Sequence, residues 1–216
     1  PENGREALIG LAREQPDLGP LFDGSPHAPA PIDPAEPGAP AGAVPGWIAP
    51  LLAAPVERDA LLGRAPMDLR VNRLKATPAD VAPLFPQAQA VPGLPDALRL
   101  PEGTAVEQSD AWARGLVEVQ DAGSQMLASA CGALPGMTVI DLCAGAGGKT
   151  LALAAAMAKR GRIIACDSDR ARLSRLPPRA ARASVSIIEP RLLDPGDEAP
   201  TLAEPLRPAP PRAPAA

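Results

Sequence analysis

Eleven prolines lie between Pro16 and Pro55, and no other feature restricts the fold of this chain so strongly. Each one fixes φ, removes a backbone donor and pushes the preceding residue out of the helical region. The run Pro26-His27-Ala28-Pro29-Ala30-Pro31-Ile32-Asp33-Pro34 can hold no helix, so an extended linker is expected, ordered only where something packs on it. His27, the single histidine, sits in that linker without a rigid neighbour and is not expected to be catalytic. Ahead of it, Leu8, Ile9, Leu11 and Ala12 recur at helical spacing, which predicts a short helix within residues 1–15. Pro1-Glu2-Asn3-Gly4 has neither an initiator methionine nor a signal pattern and reads as a cut in a longer chain.

Two Trp, two Phe and no Tyr leave an Ala/Leu/Val core of modest area. The formal net charge of −4 counts against a protein that grips duplex nucleic acid over its whole surface, so any such contact must be local. Cys131, Cys143 and Cys166 are odd in number and lack metal-type spacing, which suits reduced thiols in the cytoplasm and no metal. No apolar run approaches the roughly 18 residues of a membrane span. A monomer is expected.

Past the linker, Trp47–Leu62 looks helical, interrupted near Pro55. Met67 to Leu74 alternates at strand period, with Met67, Leu69 and Val71 on one face. Pro78 to Leu84 suits a short helix opened by Thr77 as N-cap. Leu98–Leu100 and Leu116–Val119 are further strand candidates, which closes a small α+β unit near Val119. From Gln120 the pattern changes. Asp121–Ala133 reads as a helix burying Met126, Leu127 and Ala130. Thr138–Cys143 is a buried strand, followed by a glycine loop and a helix over Lys149–Lys159. Arg162–Cys166 is a second buried strand ending at Asp167, a helix starts near Asp169 and is disturbed at Pro177-Pro178, and Val185–Ile188 is a third strand. Such repetition means a parallel sheet with crossover helices. The stretch beyond Asp194 is low in complexity and expected to be disordered.

The chemistry lies in Asp141-Leu142-Cys143-Ala144-Gly145-Ala146-Gly147-Gly148-Lys149-Thr150, between strand and helix. Small residues there let backbone N–H groups approach a ligand at a helix N-terminus. A phosphate-binding P-loop would need glycine where Cys143 stands, and a G-x-G-x-x-G fingerprint begun at Gly145 would need glycine at Thr150. What remains is acid-x-small-x-Gly-x-Gly, met by Asp141, Cys143, Gly145 and Gly147, which resembles the first motif of class I S-adenosyl-L-methionine-dependent methyltransferases. Asp167 falls 22 residues after Gly145, near the offset of about 20 at which such folds set a carboxylate on ribose hydroxyls. Asp194 follows the third strand, within reach of an adenine edge. Asp169 reads better as a helix N-cap.

Together, Glu118-Val119-Gln120-Asp121-Ala122-Gly123-Ser124-Gln125, the 141–150 loop, and Ala165-Cys166-Asp167 with Arg172-Leu173 resemble the RsmB/Nop/Sun family of RNA cytosine-5 methyltransferases, the bacterial 16S ribosomal RNA branch most of all. The resemblance runs from about Trp47 to Asp194. It implies an α/β fold: a partial Rossmann-like class I sheet preceded by a small α+β RNA-binding region. The implied organisation is a helix remnant and Pro-rich linker (1–46), the RNA-binding region (47–119), a cofactor-binding half-domain (120–194) and a Pro-rich tail (195–216). It further implies that Asp141, Cys143, Ala144, Gly145, Ala146, Gly147, Gly148, Lys149, Asp167, Arg172 and Asp194 hold S-adenosyl-L-methionine. Arg70, Arg73 and Lys75 would contact ribosomal RNA. Gly145-Ala146 departs from the family's usual Ala-Pro.

The family's reaction uses a Cys thiolate that attacks carbon 6 of cytosine and so activates carbon 5; a second Cys helps release the enzyme. Those thiols follow Pro or Thr downstream of the cofactor loop. This chain has neither dipeptide, so it reads as a fragment or frameshifted product, inactive alone. Cys131 is expected in the core, Cys143 in the loop and Cys166 in a buried strand. Eight basic residues between Lys159 and Arg182 are either a solvated face or an RNA contact, and scarce aromatics make any RNA binding mainly electrostatic. Two other readings stay open: a methyltransferase of another substrate, and a non-catalytic remnant or binding module.

Overall fold

The computed structural model describes residues 4–39, 44, 47–52, 61, 63–194 and 196. They belong to two compact units, Pro1–Ala65 and Pro66–Ala216.

In the first unit, α1 (Gly4–Glu14) forms where the apolar spacing places it. It buries Ile9 and Ala12 against Phe22, with Leu18 and Ile32 alongside. Over residues 16–39 the proline-rich segment has a 3-10 turn at Pro16–Leu21 and tight turns near 26–27 and 34–35, is otherwise irregular, and is tied back to α1. Arg5 forks onto Glu36 through Nε at 2.6 Å and Nη2 at 2.7 Å, and Arg13 donates to the Glu36 carbonyl at 2.6 Å. The Arg5 hydrogen bond is the main reason the Glu36 carboxyl is held at about 2. An ion pair therefore orders what composition alone leaves as a linker. Of the helix expected over Trp47–Leu62, Ala49–Leu51 is a 3-10 turn and much of the rest lies outside the described residues, as does nearly all of the tail after Asp194.

The second unit carries two sheets. The first is antiparallel in the order β2-β3-β1-β4, built from β1 (Met67–Val71), β2 (Gln89–Val91), β3 (Leu94–Leu100) and β4 (Val117–Val119). Leu69 and Val71 are fully buried with Val81, Phe85, Leu98 and Val117. Between β1 and β2, α2 (Pro78–Val81) starts with the expected Thr77 cap, closed into a capping box by Asp80. Strand β2 was not apparent from composition. Its signal is Pro92-Gly93, a two-residue turn in which Gly93 takes φ 77°.

The second sheet is parallel in the order β5-β6-β7, from β5 (Thr138–Asp141), β6 (Arg162–Asp167) and β7 (Ile188–Leu192). Ile163, Ile164, Ala165 and Cys166 are wholly buried in the central strand. Helices α4 (Ala122–Ala130), α5 (Gly148–Ala156), α6 (Arg170–Leu173) and α7 (Leu176–Arg182) alternate with these strands. A further short helix, α3 (Asp110–Ala113), precedes β4. The architecture is the Rossmann-like α/β arrangement expected. Pro177 and Pro178 open α7 rather than disturb a longer helix, because the first turn needs no internal donors there.

Three expectations are corrected. The third strand is Ile188–Leu192, not Val185–Ile188; Val185 packs in the core below it. Pro190 is tolerated because β7 lies at the sheet edge, where a missing N–H costs no ladder bond. Helix α4 buries Gln125 and Ala128, whereas Met126 and Leu127 are exposed. Gln125 is drawn inward because its Nε2 donates to Leu69 O at 3.1 Å and Gln120 O at 2.8 Å. Cys131 caps the C-terminus of α4 and is exposed, not a core residue.

The outer face of β1 is buried too, and it is polar. Asp68 receives Arg99 Nε at 2.8 Å and the Ala122 N–H at 3.0 Å. Asn72 Nδ2 donates to Gly115 O at 2.9 Å and Ala183 O at 3.1 Å. Glu118, 1% exposed, meets Arg179 at 2.8 Å and Arg182 at 2.6 Å. A polar seam thus joins the antiparallel sheet to the Rossmann-like half. Asp68 gives it a pH signature: the Arg99 hydrogen bond is the largest cause lowering its pKa, followed by the Ala122 N–H. A carboxyl depressed in the folded state adds stability above its unfolded pKa of about 3.9, and that contribution is lost as pH falls through the folded value. Urea denaturation below pH 4 should show this loss, and Asp68→Asn should flatten the acid limb while lowering the neutral plateau.

Candidate cofactor site

The C-terminal ends of the parallel strands carry the acids that the sequence singled out. Asp141 ends β5, Asp167 ends β6, and Asp194 lies just past β7. Leu193 N–H donates to Asp167 O at 2.9 Å, which brings exposed Asp194 next to the end of β6. Open α/β sheets bind ligands at these strand ends.

The loop between β5 and α5 is shaped by hydrogen bonds at both ends. Ala144 N–H donates to Cys166 O at 2.9 Å, and Gly147 N–H donates to Ala144 O at 2.8 Å. The turn requires φ of 53° at Gly145 and 88° at Gly147, values that L side chains rarely adopt. At Gly147 a Cβ would also overlap Cδ1 of Leu176, a fully buried side chain. Asp141 Oδ2 accepts from Thr150 Oγ1 at 2.7 Å, which clamps the end of β5 to the first turn of α5. Arg179 Nη1 donates to Ala146 O at 2.9 Å from the other side.

Asp167 does not point away from the loop. Its Oδ2 accepts from Gly145 N–H at 2.7 Å and its Oδ1 from Asp169 N–H at 2.8 Å. The Asp169 N–H is the leading cause holding the Asp167 carboxyl below the usual carboxylate range, with Gly145 N–H adding to it. Each carboxylate oxygen can accept more than one donor, so capacity remains for two hydroxyls. Asp169 caps α6, accepting from Arg172 N–H at 3.0 Å, as its position suggested. The Arg172 side chain is 71% exposed and pairs with Asp169 at 3.3 Å.

A cavity of about 350 Å³ opens along the loop, lined by Cys143, Ala144, Gly148 and Lys149, and across from them by Gln120, Ser124 and Arg179. Asp167 is not in its wall. Gln120 and Arg179 belong to the site but escaped the residue-by-residue reading. Gln120 had a signal, because it opens the Gln-Asp-Ala-Gly-Ser stretch. Arg179 had none beyond membership of a basic cluster. Gln120 Oε1 accepts from Arg70 Nε at 2.7 Å, and a guanidinium can only donate, so the amide orientation is fixed. Its Nε2 is then a buried donor with no acceptor among the described residues, beside the 141–150 loop. Such a group asks for an acceptor from a ligand or water.

The three residues expected at RNA behave differently from one another. Arg70 is 6% exposed and is withdrawn from the surface, because β1 is covered on both faces. Arg73 is half exposed and pairs with Asp96 at 3.5 Å. Lys75 is exposed, with Nζ donating to Arg114 O at 2.5 Å and Arg182 O at 3.0 Å. No three metal-ligating side chains cluster among the described residues, and no helix there is long and apolar enough to cross a membrane.

Residues 132–193, which contain this loop and two of the three acids, Asp141 and Asp167, match the family model described as 16S rRNA methyltransferase RsmB/F. A probable ribosomal RNA small subunit methyltransferase B of Synechocystis is 37% identical over 142 residues, 62% of this chain and 32% of the relative. Ribosomal RNA small subunit methyltransferase B of Xanthomonas campestris is 40% identical over 119 residues, 52% of this chain and 26% of the relative. The chain thus spans about a third or less of these relatives. A solved methyltransferase homologue from Pyrococcus horikoshii superposes with a TM-score of 0.60 at 27% identity, over 68% of this chain and 48% of that one. NSun6 from the same organism, at 15% identity and a TM-score of 0.62 over 71% of this chain and 65% of its own, shares the fold. Over the segment they match, with its glycine turn and the carboxylate bound to it, the chain is similar to the RsmB/Nop/Sun family of methyltransferases.

Proposed function

We propose that this chain binds S-adenosyl-L-methionine as the cofactor-holding part of a methyltransferase acting on carbon 5 of cytosine in ribosomal RNA. The observation that carries the reading is the 2.7 Å bond from Gly145 N–H to Asp167, which joins the turn of the first parallel strand to the acid ending the second. When bound, the cofactor supplies an electrophilic methyl group on a sulfonium sulfur. Asp167 takes the ribose hydroxyls, since two adjacent hydroxyls can both donate to one carboxylate. The loop from Cys143 to Lys149 follows the methionine portion, with Lys149 and the orphaned Gln120 Nε2 available to an anionic carboxylate. Asp194 meets the adenine edge, and Arg172 stands at the rim beside Asp169. Asp141 acts one step back, holding the loop's root through Thr150. Ribosomal RNA as substrate is supported by the names of the relatives, and Arg73 and Lys75 are basic side chains, in the turn after β1, that water can reach.

No thiol here suits nucleophilic attack on a base. Cys166 is buried, and burial pushes its thiol pKa up, while Cys131 and Cys143 lie outside the Pro-Cys and Thr-Cys contexts of the resemblance. The purified chain is expected to bind cofactor without transferring methyl groups. Isothermal titration with S-adenosyl-L-methionine should give saturable heat, displaced by S-adenosylhomocysteine, and a methylation assay on ribosomal RNA should stay at background. A titration without heat overturns the cofactor reading. Methyl incorporation overturns the inactivity.

A further inference from the structure

Gln120, 6% exposed, is held at every polar atom but one. Its backbone N–H donates to Asp68 O at 3.1 Å, and its carbonyl accepts from Gln125 Nε2 at 2.8 Å. The side-chain Oε1 accepts from Arg70 Nε at 2.7 Å. That leaves Nε2, a buried donor with no acceptor among the described residues. It faces the start of α5, where a Cβ built on Gly148 would stand 4.0 Å from it. A buried donor without a partner is costly, and an arriving acceptor recovers that loss.

Arg70 does two things to this donor. A guanidinium cannot accept, so it holds the amide with its oxygen on the Arg70 side and its nitrogen on the side of the 141–150 loop. Its charge also draws electron density towards Oε1, which polarises the amide and strengthens donation from Nε2. Burial lowers the guanidinium only to about 10, so it is charged at neutral pH. Its own place is set by the sheet, where Arg70 stands opposite Ala97 on β3 and Glu118 on β4.

The remaining wall of the 350 Å³ cavity selects the acceptor. Lys149 and the first N–H groups of α5 favour negative charge. Arg179, though paired with Glu118, keeps a buried Nε with no acceptor among the described residues. The wall also holds one carboxylate, Asp121, whose Oδ1 accepts from Ser124 N–H at 2.7 Å. A plain anion would meet that charge unopposed. An α-amino-acid end carries an ammonium beside its carboxylate and answers both signs at once.

We infer that Gln120 selects the cofactor by its α-amino-acid end, donating from Nε2 to the α-carboxylate, and that Arg70 is the positioning residue that sets this donor. The ammonium then lies on the Asp121 side. Arg70 thus serves the cofactor from inside the fold. This assignment rests on the S-adenosyl-L-methionine reading above and adds a discrimination that a grip on ribose does not supply.

Isothermal titration of the whole chain compares S-adenosylhomocysteine, which carries the amino-acid end, with methylthioadenosine, which lacks it. Gln120→Glu keeps a partner for Arg70 and replaces the donor with an acceptor. Arg70→Met frees the amide and fills the space with an apolar chain of similar length. Each variant is expected to weaken S-adenosylhomocysteine about tenfold or more while moving methylthioadenosine less than about twofold. A purely structural role would weaken both ligands alike. Equal losses for the two ligands overturn the inference and leave the cofactor reading standing, as does either variant binding S-adenosylhomocysteine like the native chain. Failure of both ligands to bind the native chain overturns the cofactor reading and this assignment with it. Should Arg70→Met not fold, heteronuclear relaxation of the Gln120 side-chain amide decides, with the signal assigned by its absence in Gln120→Glu. A rigid amide before ligand is added is expected, and a mobile one overturns the part given to Arg70.

Discussion

Replacing Glu118 with alanine is expected to lower the unfolding free energy by about 3–5 kcal/mol, much of the stability a domain of this size has. Glu118 is 1% exposed and holds Arg179 at 2.8 Å and Arg182 at 2.6 Å. Both arginines already carry a buried Nε without an acceptor. Arg182 also lies 3.5 Å from the Trp112 ring centroid, so it cannot swing to water without abandoning that face. Removing the carboxylate leaves two confined guanidiniums with no counter-charge against them. The effect belongs to the orphaned charges and not to the lost contact. A triple variant with Glu118, Arg179 and Arg182 all replaced by apolar residues of similar size should therefore be more stable than Glu118→Ala alone. Urea denaturation with a far-ultraviolet readout measures both. A loss under about 1 kcal/mol for the single variant would show that water already screens the pair.

Asp167→Asn should weaken S-adenosyl-L-methionine by about 30- to 1,000-fold, or roughly 2–4 kcal/mol, while leaving the fold in place. Two backbone N–H groups, those of Gly145 and Asp169, point at this side chain. A carboxylate answers both with oxygen. An amide answers one and turns an NH₂ towards the other, so the glycine turn or the start of α6 loses its anchor. The same substitution removes the negative charge that the ribose hydroxyls would donate to. Titration calorimetry beside circular dichroism separates the two consequences. Affinity within threefold of the native chain, with the fold intact, would remove Asp167 from the site. Loss of the fold would instead make it a structural residue.

What could be read in the sequence was short in range. The 141–150 turn and the Thr77 cap are each written within a few residues, and Asp167 follows Gly145 at a recurring offset; backbone geometry leaves those patterns few alternatives. The polar seam was not readable, because Glu118 and Arg179 are 61 residues apart and a run of arginines looks the same facing water or a buried carboxylate. Arg70 shows the same limit. Strand alternation gives it a face, but whether that face meets solvent depends on α4 packing over it. On α4 itself, Met126 and Leu127 gave the stronger apolar signal. Gln125 took the inner position because only an amide could satisfy the carbonyls of Leu69 and Gln120. For β7, the strand was read too early in the chain, and Pro190 fits within it because β7 lies at the edge of the sheet.

The chemistry of the join between the two sheets also bears on how they would come apart. Faces bearing Asp68, Glu118, Asn72, Gln125 and three arginines are readily wetted once water enters, unlike parted layers of leucine. Separation there costs ion pairs as well as the packing of Leu74 on the parallel-sheet core. A briefly opened molecule would thus reclose on itself more readily than cling to its neighbours.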